Sequence, residues 1–338
     1  MKKCEILDVT LRDGSYVLNF QFSCEQQTEI GLALQESGVK YLEIGHGMGL
    51  GASTPQNGVA LHTDLEYLLE AKNKFQNIKY GVFCIPGIAS LRDIEMAADS
   101  GSSFIRIGTN RNEITHSEEY IKFAKKCGLF VMANYMKSYT MEPDEFAENV
   151  QRSESYGADC VYIVDSSGSM QPCQILAYYE AIKRVSNIQV GFHGHDNLGT
   201  SLWNSMVAAE AGFDFVDCSL CGIGRGAGNT QLDLFAINAM KKGLIDEINV
   251  KEILNYSQER IVPLLSDREM RCVDIICGMS EFHTGYLKYI QKAADKYRVN
   301  PLDLIEMYAR IDKINMDVDV LDKVAQSLGG SGNGNLTK

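Results

Sequence analysis

The sequence predicts an α/β protein with a (β/α)8 barrel, and three observations carry this prediction. Apolar runs alternate with amphipathic segments eight times along residues 4–242. Continuous apolar runs are typical of parallel strands that are buried on both faces, and the amphipathic segments are typical of the helices that cover them. No G-x-G-x-x-G turn follows the first strand, and the glycines cluster after the eighth instead, which favours a closed barrel over an open sheet.

Each predicted strand is followed by a predicted helix. The strands are residues 4–8, 41–45, 78–84, 104–108, 129–135, 160–165, 188–193 and 215–220. The helices are residues 23–36, 63–75, 88–100, 117–127, 143–156, 172–185, 200–211 and 229–242. Capping boxes formed by Ser23 with Gln26 and by Thr63 with Glu66 predict the starts of the first two helices, and Pro143 suits a first helical turn.

The alternation stops after residue 245. Residues 246–327 are predicted as several helices without strands, and so as a helical extension packed on the barrel mouth. Residues 328–338 repeat Gly, Ser and Asn, which is typical of a flexible tail. The predicted organisation is therefore a catalytic barrel (1–245), a C-terminal extension (246–327) and a tail (328–338).

Composition excludes several classes of function. The 338 residues are 45% hydrophobic and 22% charged, and the net charge is −12 without a basic stripe. This balance argues against nucleic acid or an anionic membrane as the main partner. We find neither a signal peptide nor a membrane-spanning run, and the ten cysteines form no regular framework, so we expect a cytoplasmic protein with reduced thiols. Cys218 and Cys221 form one C-x-x-C, which we interpret as structural.

Polar side chains cluster at the predicted carboxyl ends of the strands, where barrels of this kind carry their active sites. This rim offers Asp8, Arg12, Asp13, Glu43, His46, Arg106, Asn134, Asp165, Ser166, His193, His195, Asp196, Asn197 and Cys218. Three other side chains are interpreted as structural: His62, His116 and Trp203.

His193 and His195 are the strongest indication of a metal site. They are two residues apart on an extended segment, so their side chains point the same way. Together with a carboxylate from another strand, for which we take Asp13, they would form a set of three ligands that leaves positions open for substrate. Nitrogen and oxygen ligands suit Mn²⁺, Mg²⁺, Co²⁺ or Zn²⁺. The alternative is a pair of core histidines that bond to backbone groups.

Arg12 and a glycine-rich loop complete the predicted site. The planar guanidinium of Arg12 suits a carboxylate or a developing enolate, and a salt bridge to Asp8 or Glu43 is compatible with that role. The loop at 222–228 either presents backbone amides to an anion or packs closely around the site. Asn229 either caps the eighth helix or supports the metal from its outer shell.

The motifs at 8–14, 193–197 and 222–229 resemble those of the DRE-type metal-dependent TIM-barrel lyases. This group includes hydroxymethylglutaryl-CoA lyase, isopropylmalate and homocitrate synthases, the carboxyltransferase domain of pyruvate carboxylase, and the 4-hydroxy-2-oxovalerate aldolases. The runs at 62–66 and 287–307 are most similar to those of the 4-hydroxy-2-oxovalerate (4-hydroxy-2-oxoacid) aldolases.

The resemblance implies a carbon–carbon lyase that splits a 4-hydroxy-2-oxoacid into pyruvate and an aldehyde, or joins them, through a metal-stabilised enolate. It implies a divalent metal, with Mn²⁺ preferred over Mg²⁺, Co²⁺ and Zn²⁺. By the same resemblance Asp13, His193 and His195 match the metal ligands. Arg12 matches the arginine that steadies the enolate and binds the substrate.

Two positions depart from the aldolase pattern. The family has His just after the Gly-Ser of the first motif, where this chain has Tyr16, and a Tyr in the C-terminal extension, where His283 falls. A swap of roles would make His283 the general base, with Tyr16 as the alternative, and a different substrate or reaction is the other interpretation. Ser166 matches a serine near the substrate carboxylate, and Glu43 at the rim is assigned to substrate binding.

Two other functions stay open at the level of the sequence. One is a Claisen condensation of an acyl-CoA with a 2-oxoacid, as in isopropylmalate synthase, which the short C-terminal region disfavours. The other is a barrel without turnover that serves a partner. The expected partners are a small 2-oxoacid and an aldehyde; the aldolases that the chain resembles pair with an acylating aldehyde dehydrogenase, and a homo-oligomer is compatible with the sequence.

Overall fold

The eight predicted strands are all present in the computed structural model, which describes residues 2–265 and 272–331. They are β1 (Glu5–Asp8), β2 (Tyr41–Ile44), β3 (Lys79–Cys84), β4 (Phe104–Thr109), β5 (Phe130–Tyr135), β6 (Cys160–Asp165), β7 (Gln189–Gly194) and β8 (Phe215–Cys218). Each strand pairs in parallel with the next, and β8 pairs with β1 to close the barrel. The predicted (β/α)8 fold is confirmed.

Eight helices cover the outside of the barrel. They are α1 (Cys24–Glu36), α2 (Asp64–Lys74), α3 (Leu91–Asp99), α4 (Ser117–Lys126), α5 (Pro143–Tyr156), α6 (Pro172–Val185), α7 (Ser201–Ala211) and α8 (Leu232–Lys241). Both predicted capping boxes form, at Ser23 with Gln26 and at Thr63 with Glu66. These reciprocal hydrogen bonds satisfy backbone donors that a helix start would otherwise leave unpaired.

Strand alternation separates two layers of apolar side chains. One set fills the barrel interior and includes Leu7, Phe104, Met132 and Phe215. The other set packs between the strands and the outer helices. Arg106 is fully buried in the interior, so the barrel is apolar at its floor and becomes charged toward the carboxyl ends of the strands.

The described residues beyond the barrel form helices, as predicted. It forms α9 (Val250–Tyr256), α10 (Cys272–Met279), α11 (Leu287–Tyr297), α12 (Pro301–Ala309) and α13 (Val318–Ser331). The helices from α10 onward have an apolar core of their own, which includes Phe282, Ile290 and Leu304. The extension lies over the barrel mouth, where the Asn197 Nδ2 atom donates to the Asp274 carbonyl at 3.0 Å.

The C-terminal end corrects the predicted tail. Helix α13 continues to Ser331, so residues 328–331 are helical, and residues 332–338 lie outside the described part of the chain. The division between barrel and extension at residue 245 stays a prediction. No helix in the described ranges combines the length and the apolar character that crossing a bilayer requires.

Two side chains predicted as structural lie on the surface instead. Trp203 on α7 is 59% exposed, and His116 at the start of α4 is also exposed, so neither belongs to the core. His62 does pack, with its ring 5.6 Å from that of Tyr67. The described cysteines are all free thiols, Cys218 and Cys221 among them.

Candidate active site

Asp13, His193 and His195 come together at the barrel mouth, as the sequence predicts. Asp13 follows β1, His193 lies in β7, and His195 comes directly after that strand. Their candidate ligand atoms all lie within 4.8 Å of one another, and all three residues are buried. Among the described residues this is the one group of His, Cys, Asp and Glu side chains arranged to hold a metal ion.

Hydrogen bonds orient both imidazole rings. The Nδ1 atom of His193 lies 2.8 Å from the Oδ2 atom of Asp217, and the Nδ1 atom of His195 lies 3.1 Å from the Gly228 carbonyl oxygen. Each ring therefore holds its hydrogen on Nδ1 and leaves the Nε2 lone pair for a second partner, which for His195 is the Arg225 guanidinium at 2.8 Å in this structure. Histidines that bind metals are typically braced in this way. The residues present fit a divalent cation, because both rings are braced for it and Asp13 supplies the carboxylate.

Electrostatics keep all three side chains in the form that binds a cation. Burial lowers the pKa of His193 to about 3 and that of His195 well below its usual range, so both are neutral at pH 7. Burial alone would raise the pKa of Asp13, but the surrounding positive charges, Arg12 first and Arg225 also, together outweigh burial and lower that pKa overall. Asp13 is therefore a carboxylate.

Alternating charges link one candidate ligand to another. Arg12 donates from Nη1 to Asp13 Oδ1 and from Nε to Glu43 Oε2, both at 2.7 Å. Arg106 continues the series, with Nε 3.4 Å from Glu43 Oε1 and Nη2 donating to Asp217 Oδ2 at 2.8 Å. We call Asp13, Arg12, Glu43, Arg106 and Asp217 the charge chain. It ends at the hydrogen bond between Asp217 and His193.

The charge chain decides between the expected partners of Arg12. Arg12 forms ion pairs with Asp13 and Glu43. Asp8 instead accepts hydrogen bonds from the amide of Thr10 at 2.9 Å and from its hydroxyl at 3.0 Å. The predicted salt bridge between Arg12 and Asp8 is therefore wrong, and the one to Glu43 is present. Glu43 is fully buried, and its carboxylate faces two guanidinium groups. This placement favours holding Arg12 in position, and direct contact of Glu43 with substrate stays a prediction.

The glycine-rich loop supports two of the three candidate ligands. The Arg225 amide donates to Asp13 Oδ2 at 3.1 Å, and the Gly228 carbonyl meets His195. A Cβ atom at Gly224 would lie 2.3 Å from Asn229 Nδ2 and 2.9 Å from Asp13 Oδ2, so this close approach requires glycine. The loop thus both packs closely and presents an amide to an anion, which is Asp13.

Asn229 belongs to the site and does not cap a helix. Its Nδ2 atom donates to Asp13 Oδ2 at 3.0 Å, whereas α8 begins at Leu232 with Gln231 as its N-cap residue. The predicted start of this helix at residue 229 is therefore wrong. The side-chain amide of Asn229 holds the carboxylate of Asp13 in place, which favours the interpretation that Asn229 supports the metal from its outer shell.

The two candidate bases come from different parts of the chain. Tyr16 follows β1, packs edge-on against Phe20, and has its pKa raised to about 12 by burial. His283 lies in the extension and has its pKa lowered well below the usual range by burial, with Arg225 and Lys137 adding to the effect. At pH 7 His283 is neutral and Tyr16 is protonated.

Ser166 is buried at the end of β6. Its Oγ atom accepts the Lys137 amide hydrogen at 3.0 Å, and its carbonyl lies 3.4 Å from Arg225 Nη2. The hydroxyl hydrogen of Ser166 stays available to an acceptor, and binding of the substrate carboxylate by Ser166 stays a prediction.

Three residues of the site were missed by sequence reasoning: Lys137, Asp217 and Arg225. Asp217 lies inside the apolar strand β8, and an ionisable residue in such a run is a signal that could have found it. Lys137 and Arg225 lie in loops that follow strands, and the sequence does not indicate whether a cationic side chain in such a loop points inward or to solvent.

Comparisons with known proteins identify the family of the chain. A model of the HMGL-like family matches residues 3–259. A protein of Carboxydothermus hydrogenoformans named 4-hydroxy-2-oxovalerate aldolase is 34% identical over 97% of this chain and 98% of its own length. Another of that name from Pelotomaculum thermopropionicum is 35% identical over 96% of this chain and 95% of its own.

A solved structure shows the same fold. The N-terminal domain of a Bacteroides vulgatus protein superposes with a TM-score of 0.73 at 25% identity, covering 84% of this chain and 95% of its own. The family match takes in the whole barrel, including Asp13 and the two histidines. The chain belongs to the HMGL-like family.

Proposed function

We propose that this chain is a divalent-metal-dependent aldolase that cleaves a 4-hydroxy-2-oxoacid into pyruvate and an aldehyde, or forms it from them. The observation that carries the proposal is the buried set of Asp13, His193 and His195 with the guanidinium of Arg12 beside it. The similarity to 4-hydroxy-2-oxovalerate aldolases over nearly the whole chain supports the same reaction class. The enzyme is a carbon–carbon lyase.

Arg12 stabilises the charge that develops during cleavage. Its Nη1 atom bonds to Asp13, so the guanidinium lies beside the candidate metal ligands, where the oxygens of a 2-oxoacid would bind. Fixed donors aimed at a developing enolate oxygen lower the barrier, because the site is buried and needs no reorganisation. A divalent cation held by Asp13, His193 and His195, for which we propose Mn²⁺, would supply Lewis-acid polarisation of the oxoacid carbonyl.

We assign the general base to His283. A neutral imidazole can accept the proton of the 4-hydroxyl group, whereas a tyrosine with a raised pKa cannot. The Nδ1 atom of His283 accepts the Gly285 amide hydrogen at 3.1 Å, so the neutral ring carries its own hydrogen on Nε2. Accepting a proton at Nε2 therefore requires the other tautomer and costs the hydrogen bond to Gly285. Tyr16 keeps its hydrogen and is a donor toward the substrate.

Ser166 and Glu43 have supporting parts in this proposal. Ser166 offers a hydroxyl hydrogen to the substrate carboxylate from the end of β6. Glu43 fixes the plane of the Arg12 guanidinium through the bond to Nε. Both assignments follow from burial and hydrogen bonding next to Arg12 and Arg225.

Proton exchange tests the proposed function. The Mn²⁺-loaded protein is incubated with pyruvate in D₂O, and the methyl protons are followed by NMR. We expect exchange in the wild-type protein, its loss in His193→Ala, and its retention in His116→Ala, which changes an exposed histidine outside the site. Absence of exchange in the wild-type protein would contradict metal-assisted enolate formation.

We also propose that an acylating aldehyde dehydrogenase receives the aldehyde product and that the enzyme is a homo-oligomer. The support for the first proposal is the resemblance to aldolases that pair with such a partner, and the second is compatible with the sequence. Co-purification of the tagged chain from its own cells tests the first proposal, and light scattering of the purified protein tests the second. A strictly monomeric protein that binds no dehydrogenase would contradict both.

A further inference from the structure

Two cations at the barrel mouth have only neutral partners. Lys137 donates from Nζ to Tyr286 Oη at 2.8 Å and to the Ile314 carbonyl oxygen. The guanidinium of Arg225 bonds to Thr284 Oγ1, to His195 Nε2 at 2.8 Å and to the Ser166 carbonyl. Neither side chain forms an ion pair with a carboxylate within the described ranges of the chain.

This arrangement is unlike that of the other buried cations. Arg12 and Arg106 each lie between two carboxylates of the charge chain. Buried charges are normally paired, because removing a charge from water is costly unless an opposite charge compensates for it. Lys137 is only 4% exposed, yet its contacts are a phenol and a carbonyl. Glu113 and Asp312 act on this charge only from beyond contact distance, so among the described residues Lys137 has no carboxylate in direct contact.

The backbone at Lys137 is unusual as well. Its φ angle is +58°, in the left-handed region that residues other than glycine rarely adopt. The Lys137 amide bonds to Ser166, which fixes the turn between the ends of β5 and β6. Strained residues of this kind persist where the surrounding structure holds them, and they cluster at functional sites. Burial lowers the pKa of Lys137 to about 8, so the side chain is still mostly protonated at pH 7.

Charge balance indicates what these cations could bind. The three carboxylates and two guanidinium groups of the charge chain carry one net negative charge. A dication together with the carboxylate of a 2-oxoacid brings that set to neutrality. Lys137 and Arg225 then remain as two positive charges on the side of the site that the extension covers, next to His283.

We propose that Lys137 and Arg225 bind an anionic group, a carboxylate or a phosphate, carried by the aldehyde half of the substrate. The proposal rests on the proposed aldolase function and names its substrate class. The anion replaces the neutral partners Tyr286 and Thr284, and the two cations gain a counterion in direct contact. The enzyme therefore prefers a charged aldehyde over an uncharged one of the same length.

Binding tests the proposal without turnover. The ligands are 2-oxoadipate and 2-oxohexanoate, which share the oxoacid head, lack the 4-hydroxyl group and differ in a terminal carboxylate. Calorimetry on the Mn²⁺-loaded protein is expected to show 2-oxoadipate binding at least about tenfold more tightly, as for one charge-assisted contact. Lys137→Met should remove this difference, Lys137→Arg should keep it, and Lys126→Met on the exposed face of α4 is the matched control.

Aldehyde pairs then separate the two anion classes. Condensation with pyruvate is compared for butanal against succinic semialdehyde, and for glyceraldehyde against glyceraldehyde 3-phosphate. If only succinic semialdehyde has a higher kcat/KM than its uncharged counterpart, the anion is a carboxylate. If only glyceraldehyde 3-phosphate does, the anion is a phosphate. If Lys137→Met does not fold, Arg225→Gln serves as the second variant, and the comparison of ligands in the wild-type protein needs no variant.

The outcomes distinguish this proposal from the proposed function. Equal binding of the two oxoacids, binding of neither, or a preference that survives in Lys137→Met overturns the anion site. If pyruvate still exchanges its methyl protons in those cases, the aldolase function stands. If exchange is absent while 2-oxoadipate binds preferentially in a Lys137-dependent way, the aldolase function fails and the anion site stands.

Discussion

The Nδ1 atom of His193 and the Oδ2 atom of Asp217 lie 2.8 Å apart at the carboxyl ends of β7 and β8. Asp217 also bonds to Arg106, so its carboxylate is held from two directions. The imidazole of His193 consequently keeps one tautomer and one orientation, with Nε2 toward Asp13 and His195.

Replacing Asp217 should weaken metal binding while the three ligands stay in place. Asp217→Asn removes the negative charge behind His193, and the loss of such a partner typically costs about 10–100-fold in metal affinity. Calorimetric titration with Mn²⁺ measures this change. Asp246→Asn, at an exposed carboxylate paired with Lys3 and Lys40, is the control. An unchanged affinity in Asp217→Asn would show that the bond does not support the ligand.

Metal binding should stabilise the folded protein. A ligand that binds only the native state at 100 times its Kd adds about 2.7 kcal/mol to the free energy of unfolding. We expect Mn²⁺ to raise the Tm of the wild-type protein after EDTA treatment and to leave that of Asp13→Asn unchanged. An equal rise in both proteins would place the binding site elsewhere.

Arg12 and Glu43 should differ in their kinetic effects. Arg12→Lys loses the planar fork that contacts Asp13 and Glu43 together, and we expect kcat to fall by about 10²–10³. Glu43→Gln should lower kcat with little change in KM for the oxoacid, because Glu43 acts through Arg12. Steady-state kinetics of retro-aldol cleavage provides both values. A raised KM at constant kcat in Glu43→Gln would instead indicate direct contact with the substrate.

The identity of the base can be read from a pH profile. The lowered pKa of His283 keeps its imidazole neutral below the ordinary histidine range, so kcat/KM should stay level between pH 8 and about 6.5. His283→Ala should reduce retro-aldol turnover by about 10²–10⁴, and Tyr16→Phe should reduce it less. Intact turnover in His283→Ala would rule out the assignment.

Asp8 should make stability depend on pH. Burial raises its pKa to about 7, so the folded protein holds this proton more tightly than the unfolded chain. The contribution to stability is complete below the unfolded pKa of about 3.9 and is lost as the pH rises through about 7. Asp8→Asn imitates the neutral form, and we expect it to raise the free energy of unfolding by about 1–3 kcal/mol at pH 8 and less at pH 5.

Denaturation with urea at the two pH values measures this effect. Asp99→Asn, at the exposed end of α3, is the control and should change the stability equally little at both. If the free energy of unfolding of Asp8→Asn at pH 8 is no higher than that of the wild-type protein, Asp8 is ionised in the folded protein without cost.

The sequence was sufficient for the barrel because local patterns determine each unit. The apolar run of β6 and the capping box at Ser23 and Gln26 need no information from distant residues. The candidate ligands could be predicted for a related reason. His193 and His195 have strand spacing, and the fold brings all strand ends to one rim, so Asp13 has to lie near them.

The supporting residues could not be predicted because their roles depend on side-chain directions between distant elements. Asn229 precedes a helix and looks like its cap, yet its amide faces Asp13, since the loop folds back across the rim. The alternating pairs from Arg12 to Asp217 join four strands. No short stretch of sequence contains that pattern.

The charge chain also bears on how this enzyme can change over generations. Replacing one of its inner members, such as Arg106, leaves its neighbours as buried charges without a counterion, which typically costs about 3–5 kcal/mol. Acceptable exchanges therefore come in matched pairs on different strands, and each first step passes through an unstable protein. Substrate preference at the mouth can drift by single substitutions, while the charge chain beneath it is expected to stay fixed.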